Sequence, residues 1–250
     1  MSVSPFHPTV MWLTRRQLFA RRRVYVALVV LLVPALIATL VRFNAGEGDL
    51  DAVGALSTIF KDIVLGVLLP LTALVFGTSA FGGEVDDGTL IYLMVKPVPR
   101  WQLTFSKYIV AFLATVAVVV PSILLAWVAM QNGAPFRVPL AYAAGATLGA
   151  MIYCAIFVTL GITSRRALAI GLLYIVAFEN ILSRSVVGVK SLSVREFALA
   201  VSRNVVGTVV EWTEFTVTMG TVYSMGSLFF ALALGLAFFK LQRYEVAERL

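Results

Sequence analysis

Residues 63–82 read IVLGVLLPLTALVFGTSAFG, and residues 83–101 continue GEVDDGTLIYLMVKPVPRW. The first stretch is twenty residues without a charge, the length of helix that crosses a hydrocarbon core of about 30 Å. The second opens on three carboxylates, Glu84, Asp86 and Asp87, and closes on Lys96, Pro97 and Arg100. A membrane span followed by a short, charged, helix-prone segment is the pattern that organises the rest of the chain.

Working outward, further apolar runs predict spans at Val24–Val41, Tyr108–Met130, Val138–Ile162, Ala167–Leu182 and Thr221–Phe239. With Ile63–Gly82 that makes an all-α, six-span membrane domain over residues 1–250. The composition agrees: 60% of residues are hydrophobic and 13% charged, against about 45–50% and 25% in soluble domains. With a mean hydropathy of +0.93, this excludes a cytosolic enzyme, a disordered regulator and a nucleic-acid module. One cysteine, Cys154, and one histidine, His7, exclude a disulfide framework and a multi-cysteine or histidine-rich metal site.

Thirteen of the twenty Lys and Arg residues fall in segments that six spans place on the same side as the termini. Basic residues mark the cytoplasmic side, so both termini are expected there, in a cell (inner) membrane. The first span is no cleavable signal, because its run is span-length and no small-x-small site follows. Before it, Met11, Trp12, Leu18 and Phe19 share one helical stripe within residues 1–23. A helix lying in the inner interface is one reading; a plain basic flank that sets orientation is the other.

In the inner loop, carboxylates precede Gly88, Thr89, Leu90, Ile91, Tyr92, Leu93, Met94 and Val95, where acidic groups favour a helix N-terminus. Pro97 stops the run, since a residue before proline disfavours helix. A short rigid helix on the cytoplasmic face is predicted. Hard cations want six or more oxygens, so the acidic trio is a poor divalent site.

On the outer side, Ser193-Val194-Arg195-Glu196 is a capping box that starts an amphipathic helix. Glu211-Trp212-Thr213-Glu214-Phe215 mixes carboxylates and aromatics as interface segments do. Residues from Glu179 to about Met219 are therefore expected to form a re-entrant or interfacial element capping the outer end. Glu179 lies inside an apolar run, near its outer end, and intramembrane carboxylates are functional candidates by default. It could cap the re-entrant element, pair with Arg184, or contact substrate. No span carries a charge near its middle on this reading, which disfavours an ion-coupled carrier. Gly145-x-x-x-Gly149 permits close helix packing, expected within the monomer.

No catalytic motif emerges. Gly188-Val189-Lys190-Ser191 lacks the glycine spacing of a nucleotide-binding loop, and no G-x-S-x-G nucleophile elbow is present.

These features together resemble the ABC-2 type transporter permeases: the basic leader, Glu84-x-Asp86-x-Gly88-Thr89-Leu90, Pro97-Val98-Pro99-Arg100, Lys107 entering the third span, and the outer segment. Tyr174 to Ala200 is similar to the subgroup with nitrous-oxide-reductase maturation permeases and small exporters. The resemblance implies an elbow helix, a coupling helix at Gly88–Val95, and a dimer with a second permease copy. It also implies separate ATP-binding subunits that bring ATP and Mg, with no cofactor in this chain. The expected function is export of an amphipathic substrate (lipid, peptide or drug). An intramembrane enzyme or assembly factor of unrelated fold is the alternative.

Overall fold

The computed structural model describes residues 21–44, 51–86, 99–130, 134–164, 166–182, 191–210 and 217–243. Among them no strand occurs; seven helices follow one another, with a 3₁₀ turn at Gly207–Val209 after the sixth. Helix α1 is Arg21–Asn44. Helix α2 runs unbroken from Ala52–Thr58 through a π-helical stretch, Ile59–Leu68, into Leu69–Asp86. Helix α3 is Arg100–Ala129 and α4 is Arg137–Thr163. Helix α5 is Ala167–Tyr174, continued by a second π-helical stretch at Ile175–Leu182. Helix α6 is Val194–Val206 and α7 is Met219–Arg243.

Five of these, α1, α2, α3, α4 and α7, are long and apolar enough to cross a membrane. The apolar part of α5, Ala167–Glu179, is shorter. The fifth expected span therefore exists as a helix with the expected bounds, Ala167 to Leu182. Two other expected spans begin too late. Helix α2 starts at Ala52, where Asp51 Oδ1 accepts the Gly54 N–H at 3.0 Å as an N-cap, eleven residues before Ile63. Helix α3 starts at Arg100, eight residues before Tyr108. In both cases a charge, Asp62 or Lys107, ends the apolar run in the sequence, and the fold carries it inside a helix.

Helices α2 and α4 form the centre. Two thirds of each is buried, 67%, against 17% of α1 and 22% of α7. Leu28, Leu32, Leu36 and Leu40 of α1 and Leu228, Leu232 and Leu236 of α7 face outward, as lipid-facing side chains do. Association of helices in lipid depends on close packing and hydrogen bonds, so small residues gather where backbones meet. A Cβ at Gly161 would stand 2.8 Å from the Thr78 carbonyl oxygen, and one at Gly77 2.8 Å from Phe157 Cβ. Thr159 adds a polar tie, its Oγ1 lying 2.7 Å from the Ala233 carbonyl oxygen of α7. The first π stretch ends beside Pro70, whose missing N–H disturbs the regular ladder just there.

Helix α6 runs along the N-terminal half of α4. The Gly145-x-x-x-Gly149 face receives it: a Cβ at Gly145 would collide with Ser202 Oγ and the Ala198 carbonyl, and one at Gly149 would touch Ala198 Cβ at 3.4 Å. This is packing within the chain. Arg137, opening α4, donates through Nε to the Val205 carbonyl at 2.8 Å and holds the far end of α6. Gly207, at φ 66°, then ends the helix in a conformation other residues rarely adopt.

Candidate functional site

Two buried clusters of charge mark the bundle. The first lies where α2 ends and α3 begins. Lys107 is 2% exposed, and its Nζ stands 2.6 Å from Glu84 Oε1. It also donates to the Ala80 carbonyl at 2.7 Å and lies 4.4 Å from the centre of the Phe81 ring. A lone ammonium in such surroundings is costly; the carboxylate, the carbonyl and the ring face together satisfy it. Glu84 and Lys107 flank residues 87–98, so the pair pins the two ends of that segment's roots together.

The second cluster surrounds the N-terminus of α6. Glu179, 1% exposed, accepts from Ser193 Oγ at 2.5 Å, from the Val194 N–H at 3.1 Å and from Tyr174 Oη at 3.4 Å. Ser193 in turn caps α6 by accepting from the Glu196 N–H at 3.4 Å. Helix N-termini attract negative charge, and here the chain supplies its own carboxylate from α5. Beside it, Arg195 is 3% exposed and pairs with Asp62 of α2 at 2.9 Å, while also donating to the Lys61 carbonyl at 3.3 Å. Glu196 Oε1 is 3.8 Å from the same guanidinium. Both Asp62 and Glu179 lie in π-helical stretches, a geometry that recurs at functional positions in helices.

The cluster is deeper than the sequence suggests. Glu179 lies beside Tyr153 of α4, sixteen residues into that helix. At 1.5 Å per residue this is about 24 Å along a helix of about 40 Å. Glu179 thus keeps a place near the C-terminal end of α5, and that end rests against the middle of α4. The physical basis is the buried network: a carboxylate accepting several hydrogen bonds can stay where an unpaired one cannot.

Of the residues singled out from sequence, Glu179, Ser193 and Glu196 come together here. Glu84 turns inward onto Lys107. Asp86 closes α2 and Arg100 opens α3. Asp87, Gly88, Thr89, Leu90, Ile91, Leu93 and Met94 lie outside the described residues, as do Arg184 and nearly all of the leader. Sequence reasoning missed the Asp62–Arg195 pair, 133 residues apart, and the part played by Tyr174. The only local signal was a charge at the edge of an apolar run.

Residues 19–180 match the sequence profile of the ABC-2 family transporter protein. The chain belongs to that family. A search of curated proteins finds no match. Membership makes this chain an ABC transporter permease, a multi-pass membrane subunit whose family works with an ABC ATP-binding partner. The match covers α1 to α5 up to Asn180, and so includes Glu84, Lys107, Asp62 and Glu179; α6 and α7 lie beyond it.

Proposed function

We propose that this permease forms the membrane half of an ATP-driven exporter, pairing with a second copy and with two separate ATP-binding subunits. Those subunits carry ATP and Mg, while this chain carries the pathway. It crosses the cell membrane six times, α5 included, with both termini in the cytoplasm. Its substrate is amphipathic: a lipid, peptide or drug.

The observation that carries the reading is that α2 joins both charged clusters. Glu84 ties its inner end to α3, and Asp62, 22 residues or about 33 Å away, holds Arg195 of α6. In the proposed cycle, closure of the ATP-binding subunits presses on a coupling helix at Gly88–Val95. Because Lys107 and Glu84 bind its roots together, the push moves α2 and α3 as a unit rather than bending a loop. Helix α2 then carries the movement through Asp62 to α6, a re-entrant half-helix of about 20 Å that gates the outer half. Leu90, Ile91, Leu93 and Met94 supply the apolar face that docks in a groove of the partner.

Co-purification with the cognate ATP-binding subunit tests this. Leu90→Asp is expected to leave the melting temperature of the isolated permease unchanged, release the ATP-binding subunit, and uncouple ATP hydrolysis from transport. A lowered melting temperature with an unchanged yield of bound partner defeats the coupling assignment.

A further inference from the structure

Between α4, α5, α6 and α7 lies a cavity of about 310 Å³, lined by Ile156, Tyr174, Phe178, Leu192, Val194 and Phe229. It is open on one side. Leu192 of its lining and Met225, one turn before Phe229 on α7, are exposed and apolar, so the cavity continues the outward apolar surface of α7. Its one hydroxyl, on Tyr174, is already donated to Glu179. Among the described residues, an occupant therefore finds apolar walls with no polar side chain left to bind it. Water needs two or more polar partners to settle in such a place, and apolar cavities take apolar guests. In a bilayer the guest at hand is a hydrocarbon chain.

We propose that this cavity binds one acyl chain of a membrane phospholipid, and that its occupancy is linked to the Glu179 clamp. The link lies in two shared residues. Tyr174 and Val194 line the cavity, and the Tyr174 hydroxyl and the Val194 N–H are both donors to Glu179 Oε1. A chain packed against the Tyr174 ring and the Val194 side chain holds both donors on the carboxylate. Linkage is reciprocal, so a clamp that favours the bound chain is itself strengthened by it. The inference needs only that the chain is membrane-embedded; it stands whether or not the export cycle above is right.

The test uses the full chain in nanodiscs of phosphatidylcholine carrying a photoreactive diazirine on one acyl chain, with no substrate added. Adducts mapped by mass spectrometry are expected on Ile156, Phe178 and Phe229 several-fold above those on Leu36 of α1 and Leu232 of α7, which are 59% and 52% exposed. Ile156→Trp, which fills the cavity, should abolish the Phe229 adduct and leave Leu232 labelled; Phe229→Trp provides the same filling, read as loss of the Phe178 adduct, if Ile156→Trp does not fold. In delipidated detergent, long-chain phosphatidylcholine should raise the melting temperature of the wild type and not of the filled variant. Equal labelling of Phe229 and Leu232 in the wild type overturns the site. So does a Phe229 adduct that survives filling. Self-cross-linking of a Phe229→Cys, Cys154→Ser variant in place of lipid adducts assigns the cavity to a second copy and overturns the lipid.

Discussion

The Lys107–Glu84 pair and the Glu179 cluster both bury charge in the same bundle, and they do so by different means. The Lys107–Glu84 pair joins consecutive helices through one full ion pair, with a carbonyl and a ring as support. The Glu179 cluster spreads one carboxylate over a hydroxyl, a backbone N–H and a phenol, drawn from α5 and from the start of α6. The first fixes a local geometry at the roots of residues 87–98. The second holds a distant segment against the middle of α4. An ion pair fails badly when one partner is lost, because the other charge stays behind. A hydrogen-bonded carboxylate tolerates any replacement that still accepts hydrogen bonds.

The largest expected effect therefore belongs to the Lys107–Glu84 pair. Lys107→Met leaves Glu84 buried without its cation and is expected to cost about 3–5 kcal/mol, seen as loss of the monodisperse, folded fraction in detergent. The double variant Lys107→Met, Glu84→Met should recover most of it. A double variant no better than the single one breaks the comparison, for the two residues would then act separately.

Glu179→Leu comes next. It strands Ser193 Oγ and the Val194 N–H, and a buried group left without a partner costs about 1–3 kcal/mol. Thermal melting should show the drop, and protease cleavage near the start of α6 should rise with it. Glu179→Gln keeps acceptor capacity and is expected to melt close to wild type. Should Glu179→Gln abolish transport in a fully stable protein, Glu179 contacts substrate and the two clusters differ in function as well as in design.

Smaller still is Asp62→Asn. The Asp62 side chain is 44% exposed, Asn still accepts a hydrogen bond from Arg195, and the buried guanidinium keeps the Lys61 carbonyl and Glu196, so the loss should be about 1 kcal/mol. A melting curve as low as that of Glu179→Leu would make the Asp62–Arg195 pair the main anchor of α6.

The last prediction moves no stability at all but places the comparison in the membrane. In a Cys154→Ser background, Gly48→Cys and Gly188→Cys should react with an impermeant thiol reagent added outside, while Gly88→Cys and Arg165→Cys should not. Labelling of Arg165→Cys from outside ends the six-span arrangement.

Local pattern made most of the bundle legible. The bounds of α5, the capping role of Ser193 and the small face at Gly145 and Gly149 follow from residues close together in the chain. The misplaced starts of α2 and α3 share one cause. Lys61-Asp62 and Lys107 look like the ends of apolar runs because an unpaired charge is too costly to carry inward. Their partners, Arg195 and Glu84, are 133 and 23 residues away, and local reading has no access to them.

By itself, then, the sequence determined that this is a polytopic helical membrane protein. Its uncharged runs are long enough to satisfy the backbone internally across a bilayer, and no other arrangement of them is cheap in water or in lipid. The tertiary structure decided where charge could be tolerated. Only once α2, α4, α5 and α6 are packed does Glu179 find Ser193 and Val194, and Arg195 find Asp62. That satisfaction of polar groups by distant partners moves the start of α6 from the rim of the bundle to its middle.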